Sequence, residues 1–341
     1  MRSFLRSNSS AIVLVLLGLL LLPGAAQAAF KCSSCHRHLA DKAVNHKPVA
    51  DGECLSCHKQ LSDAHPLEKG SMSFVVPKEK LCLSCHTTLL SKPRLHKPVA
   101  EGKCTDCHLH HSSNNKSLLK DPPPVLCFRC HDKARYSGAS HSHKPVANGQ
   151  CLLCHDAHQA EGPSLLKKPG SGLCFMCHDP KLGQGKSLHG PVKTGECVKC
   201  HKPHGSEYRK MLIADYPTAL YKPFSADAWP LCFACHNPAL AAEAKTERAT
   251  NFRNGSRNLH AVHVNKAGKG RGCRMCHNPH SSAQDRLIYT QAPGFGAWDI
   301  PINYTKTETG GSCSVGCHRK YYYDRLKPFD NFAKPAHSLA K

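Results

Sequence analysis

The chain has 341 residues, among them 24 glycines, 24 prolines, 22 cysteines and 26 histidines, while aromatic residues make up only 6%. A composition so rich in helix and strand breakers excludes long helices or a large sheet built around an aliphatic core. The formal net charge of +22 has the sign of a nucleic-acid-binding protein, but the cysteines supply a different account of it.

The chain opens on Arg2 and Arg6, an apolar run from Ala11 to Leu22, and Ala26-Gln27-Ala28, the small-residue pattern of a secretory cleavage site. The apolar run is shorter than the roughly 20 residues that a membrane-spanning helix needs. Residues 1–28 therefore read as a signal peptide and the remainder as an exported chain.

From residue 29 onward the cysteines fall into eleven pairs, each followed at once by histidine, with none left over. Ten pairs have the form C-x-x-C-H: Cys32 and Cys35 with His36, Cys54 and Cys57 with His58, Cys82 and Cys85 with His86, Cys104 and Cys107 with His108, and Cys127 and Cys130 with His131. They continue as Cys151 and Cys154 with His155, Cys174 and Cys177 with His178, Cys197 and Cys200 with His201, Cys232 and Cys235 with His236, and Cys273 and Cys276 with His277. The eleventh is stretched by one residue, Cys313-Ser-Val-Gly-Cys317-His318. Zinc ribbons and disulfide scaffolds also repeat C-x-x-C, but neither needs a histidine directly after every pair. A covalent c-type haem does, because two thiols add to its two vinyl groups and the next imidazole binds the iron.

Eleven haems in 313 mature residues leave about 28 residues per cofactor, too few for a separate protein core around each. The expected fold is a multihaem cytochrome c, mostly coil with short α-helices wrapped around an extended row of haems and little or no sheet. The apoprotein should be largely unfolded. Loss of the leader's two arginines lowers +22 to +20, and twenty-two haem propionates more than offset that charge. The lysines then read as propionate partners and solubilising groups, with no role for nucleic acid.

Internal repetition reveals a second set of ligands. His46-Lys-Pro-Val-Ala-Asp-Gly-Glu-Cys54 recurs from His96 to Cys104, from His143 to Cys151 and more loosely from His189 to Cys197. Each histidine precedes a haem cysteine by eight residues, and the proline and glycine between them favour a return turn. In another set, His111, His158, His204 and His280 follow a proximal histidine by three residues. Spacing of three is one face of a helical turn, so these should serve a neighbouring haem. His65 is the looser counterpart in the first unit.

Twenty-six histidines, eleven of them proximal, leave fifteen for eleven irons. The expected second ligands are His46, His65, His96, His111, His143, His158, His189, His204, His263, His280 and His337. His38, His110, His141 and His260 are spare, and His38, His141 or His260 can replace His46, His143 or His263. Only Met72 and Met211 are free methionines, so two-histidine iron is expected throughout, with no open position for a substrate and no enzyme activity.

The chain resembles the doubled C-x-x-C-H multihaem cytochromes, most closely the periplasmic decahaem family of MtrA and DmsE type. The resemblance rests on Leu-Cys-x-x-Cys-His units at Cys82, Cys127, Cys174 and Cys232 alternating with Gly-x-Cys-x-x-Cys-His-x-x-His units at Cys104, Cys151 and Cys197. Cys197 to Ser206 reads C-V-K-C-H-K-P-H-G-S. The eleventh site, its expanded clamp and the longer spacers after His204 depart from that family.

Residues 29–204 form a four-pair region with eight haems, and residues 205–341 a three-haem region with longer spacers. The latter holds 16 of the 22 aromatic residues and can build more protein core. Stacked rings are at least about 3.5 Å apart, so eleven in a row reach about 35 Å or more, against about 40–45 Å for a full bilayer. The resemblance implies a conduit from a periplasmic donor to an outer-membrane or extracellular cytochrome, sheathed in an outer-membrane β-barrel porin. Alternatives are a free periplasmic shuttle or electron reservoir, an extracellular cytochrome filament and, last, a multihaem reductase.

Overall fold

The computed structural model describes residues 31–294 and 296–333; the leader and His337 lie outside them. The longest helix among the described residues is Leu259–Val264, six residues long. Most of the rest is single helical turns, bends and two-residue strand pairs, as the glycine and proline content requires.

The repeated His-Lys-Pro-Val-Ala segment folds as one α-turn: Lys47–Ala50, Lys97–Ala100, Lys144–Ala147 and, in the looser copy, Gly190–Lys193. Histidine occupies the extended N-cap position, and proline sits in the first turn, where its missing N–H leaves no bond unmade. Gly52, Gly102, Gly149 and Gly195 end the turns at φ of +78°, +67°, +68° and +74°, values that favour glycine.

The strand before each turn is anchored to a distant clamp. Val44–Asn45 pairs with Ser112–Ser113, Arg94–Leu95 with Gln159–Ala160, His141–Ser142 with Gly205–Ser206, and Ser187–Leu188 with Ser281–Ser282, all antiparallel. The ladder continues into the histidines, where the N–H groups of His46, His96 and His189 donate to the carbonyls of His111, His158 and His280 at 2.8, 2.8 and 3.0 Å. Serine staples hold these joints. The hydroxyls of Ser113, Ser206 and Ser282 donate to the carbonyls of Leu119, Leu212 and Ile288 and accept the N–H groups of Asn115, Tyr208 and Gln284.

The described residues form two compact units. One comprises the chain up to Cys85 with Lys103–Pro122, and includes a hairpin of His58–Gln60 with Met72–Phe74. The other comprises His86–Gly102 and the chain from Pro123 onward. Among the described residues, Ala160 is the one buried apolar side chain before residue 205; Trp229, Ala261, Val264, Met275, Ala292, Ile300, Ile302 and Tyr323 all follow it.

Sheet content is small, as expected, and one piece of it is larger than a strand pair. Gln291–Pro293, Asp299–Lys306, Gly310–Val315 and His318–Asp324 form a four-stranded antiparallel sheet in chain order. Its cause is a period-two pattern in the second strand, where Ile300 and Ile302 turn inward between exposed neighbours. Gly310 and Gly311 permit close approach of the strands, since a methyl group on either would overlap the carbonyl of Tyr323 or Thr305. On the outer edge the Asn331 side chain accepts the Tyr322 N–H at 2.8 Å and donates to the Tyr322 carbonyl at 2.7 Å.

Ser206→Ala should lower the stability of the holoprotein by about 1–2 kcal/mol, because it leaves a buried carbonyl and N–H unpaired. Denaturant titration followed by far-UV dichroism measures this loss.

Candidate functional site

Each regular clamp is built on one tight turn, which brings both thiols and the following imidazole to the same stretch of surface. The histidine N–H closes the turn on the carbonyl of the first cysteine, at 3.0 Å for His36 on Cys32, His108 on Cys104, His201 on Cys197 and His277 on Cys273. The eleventh clamp has a different base. Cys313 lies in the Gly310–Val315 strand, a bulge separates it from Val315, and His318 begins the last strand. Trp298 packs against Gly316 inside this clamp.

Opposite nine proximal imidazoles lies a second imidazole, roughly parallel and one metal-width away. The ring centroids of His36 and His65 are 6.1 Å apart, those of His58 and His111 6.1 Å, His131 and His96 6.1 Å, His155 and His204 6.1 Å, and His178 and His143 6.0 Å. His201 faces His280 at 6.1 Å, His236 faces His189 at 6.0 Å, His277 faces His260 at 6.3 Å, and His318 faces His263 at 6.5 Å. A metal–nitrogen bond is about 2 Å long, and a ring centre lies about 1 Å behind its donor atom, so two trans imidazoles have centroids about 6 Å apart. The separations fit an iron between the rings, and the two cysteines beside each proximal histidine fit the thioether links of a haem.

Hydrogen bonds show which ring nitrogen is available. Nδ1 of His108, His155, His201 and His277 lies 2.9, 2.8, 3.0 and 3.0 Å from the carbonyls of Ser117, Ser164, Lys210 and Arg286. On the turn histidines, Nδ1 of His96 and His189 lies 3.0 and 3.1 Å from the carbonyls of Ala157 and Pro279, and His143 is bonded to Pro203. A carbonyl only accepts. Nδ1 must therefore carry the proton and Nε2 the lone pair, the tautomer that a metal requires.

The first four of those carbonyls come from a strained loop. Ser117-Leu118, Ser164-Leu165, Lys210-Met211 and Arg286-Leu287 are left-handed pairs, with φ between +54° and +60° and no glycine among them. The next residue in each, Leu119, Leu166, Leu212 or Ile288, forms a bridge with the same proximal histidine. An apolar pair thus closes each of the four loops: Leu118-Leu119, Leu165-Leu166, Met211-Leu212 and Leu287-Ile288.

Burial disfavours the charged form of several second rings. It pushes the His260 pKa down to about 4, and it lowers His143, His189, His204 and His280 as well. Burial also pushes the Cys174 and Cys313 thiols up to about 11. Within each unit the clamps touch in sequence order. The free thiols of Cys54 and Cys32, Cys82 and Cys104, Cys174 and Cys197, and Cys232 and Cys273 interact in pairs, as do Cys154 with Cys177 and Cys276 with Cys313.

Several placements differ from the sequence expectations. His260, expected as a spare histidine, faces His277, and His263 faces His318, while the expected ligand His337 lies outside the described residues. The cause is Leu259–Val264, whose i and i+3 positions present both rings from one helical turn. The histidines three residues after a clamp do not share a helix face with it, because the chain is already extended at His108. His46 caps the Lys47–Ala50 turn, and the N–H of His158 is held by Asp156 at 2.9 Å. His38 stands 6.2 Å from His36 at a tilt of 59°, His110 meets His111 edge-on, and His141 lies in a two-residue strand. Thr250, 2.9 Å from His260 Nδ1, has no signal in the sequence.

A family model described as a doubled CXXCH motif matches the chain four times, at residues 46–90, 96–136, 143–183 and 189–241, together more than half its length. No curated protein matches it. Doubled motifs of this kind bind haem c covalently, which agrees with the fit of paired thiols and imidazoles.

Ser164→Gly keeps the carbonyl under His155 and removes a left-handed strain of roughly 1–2 kcal/mol. Allowing for glycine's extra unfolded entropy, the variant should be more stable by about 0.5–1 kcal/mol with an unchanged haem spectrum. Denaturant unfolding and absorption spectroscopy test both halves.

Proposed function

The chain belongs to the doubled CXXCH motif family of multihaem electron-transfer cytochromes, and from that premise we propose that it is an undecahaem c-type cytochrome with two histidines on every iron and no substrate chemistry of its own. Bound haem supplies one-electron redox chemistry. The observation that carries the reading is the set of facing imidazole pairs at 6.0–6.5 Å. Each pair offers both axial positions to protein ligands, which favours a carrier over a reductase. The second ligands are His65, His96, His111, His143, His189, His204, His260, His263 and His280, with His46 and His158 completing the set by their equivalence in spacing to His96 and His204.

Clamp-to-clamp proximity within each unit supports an order of sites that follows the chain. Within each unit successive sites are then neighbours, and the Cys313–Cys317 site stands last in its own. We further propose that the exported protein conducts electrons from a periplasmic donor to an outer-membrane or extracellular cytochrome inside a β-barrel porin. Among the described residues no helix is long and apolar enough to cross a membrane. Mild detergent extraction discriminates the readings: co-migration of the haem-stained protein with a β-barrel supports the conduit, and recovery in the periplasmic fraction supports the shuttle.

Intact mass should show eleven haems. His204→Ala should keep all of them and convert one low-spin iron to a high-spin or ligand-exchanged form, whereas His141→Ala should leave every iron low-spin. Magnetic circular dichroism and EPR read both variants, and a low-spin His204→Ala protein would remove the two-histidine assignment.

A further inference from the structure

Four sites share one proximal arrangement, that of His108 among them, and the facing rings of the other three can be compared directly. His155, His201 and His277 each lie with Nδ1 2.8–3.0 Å from the carbonyl of a left-handed residue. Their facing rings differ. Among the described residues no hydrogen bond reaches the ring nitrogens of His204 or His280, which face His155 and His201. His260, which faces His277, has Nδ1 2.9 Å from Thr250 Oγ1.

Thr250 is fixed in place. Its Oγ1 also accepts the Phe252 N–H at 3.0 Å, and the Phe252 ring packs against His260 at 5.1 Å with a 70° tilt. The backbone of His260 is set independently. Asn258, with 0% exposure, accepts the N–H groups of His260 and Ala261 at 3.0 and 3.3 Å and donates to the carbonyls of Leu240 and Glu243 at 3.0 and 2.8 Å. Asn258 holds the helix, and Thr250 holds the ring.

With Nε2 toward iron, Nδ1 of His260 carries the proton and donates it to Thr250 Oγ1. Such a bond makes the imidazole a stronger base and favours ferric over ferrous iron. We propose that Thr250 is a positioning residue which, through His260, holds the tenth site at a lower potential than the sixth and eighth, whose second histidines lack this bond. The inference rests on the two-histidine reading above. It makes the tenth site a built-in step in the energy profile next to the last haem.

The test uses full-length holoprotein in a potentiometric titration followed by EPR. Thr250→Val removes the hydroxyl at nearly constant shape, Thr250→Ala removes it without the branched side chain, and Thr250→Ser retains it. His260→Met marks the signal of the tenth site by raising its potential. All variants should retain eleven haems by mass. In Thr250→Val and Thr250→Ala the marked signal should move upward by at least a tenfold change in its oxidised-to-reduced ratio at fixed potential, about 59 mV for one electron, and Thr250→Ser should restore it. If His260→Met shifts one signal and neither hydroxyl-free variant does, or if Thr250→Ser fails to restore it, the role of Thr250 is overturned and the ligand assignment stands. If His260→Met shifts no signal, the ligand assignment itself falls.

Discussion

The hydrogen bond from an imidazole Nδ1 to a backbone carbonyl is the constraint on which the rest of the structure depends. A neutral imidazole presents its lone pair on either nitrogen, and in water the two tautomers exchange freely. Here the carbonyl decides. The chain accepts left-handed strain at Ser117, Ser164, Lys210 and Arg286 to place that carbonyl, and repeats the arrangement through four loops of different sequence. The turn histidines meet the same requirement through a carbonyl of the clamp segment to which their strand is paired. One hydrogen-bonding rule thus fixes loop conformation, strand register and ligand orientation together.

A second consequence is interlocking. In the segment from His189 to His204, His189 faces His236, His201 faces His280, and His204 faces His155. One short stretch serves three separate sites. Because the repeats reach across one another, few positions are packed only by chain neighbours, and ordering depends on contacts between distant segments, whose closure entropy is offset only when partners are in place. Among the described residues, the few buried side chains before residue 205 are Ala160 and three serines, of which Ser113 bonds to backbone and Ser71 to the His65 ring, consistent with a core that is not made of aliphatic residues.

Much of this was legible in the sequence, because the rules are local. C-x-x-C-H marks the clamp, histidine eight residues before a clamp marks the turn, and histidine three residues after it marks the third position. The regularity fails where the repeat ends. The clamp at Cys273 has no following C-x-x-C-H-x-x-H segment to supply a facing ring, and the chain uses His260 and His263 on an unrelated helix. No spacing rule signals this, and the placement of His260 opposite His277 and of His263 opposite His318 follows from it. The four-stranded sheet was missed for a related reason: its alternating strand from Asp299 is short, isolated and outside the repeats. Thr250 acts through geometry alone, ten residues from the ring that it holds.

The last strand of that sheet is finished with care. Asn331 occupies the outward N–H and carbonyl of Tyr322 with its own amide, in the way that a neighbouring strand would. On the opposite edge Pro293 offers no N–H at all. A sheet with open edges is a template on which another copy can add by backbone pairing, and that process does not stop at two. Here the template is blocked on both sides at these positions. The sheet that carries the final clamp therefore resists growth through its strands at these positions, so that whatever meets it there must do so through side chains.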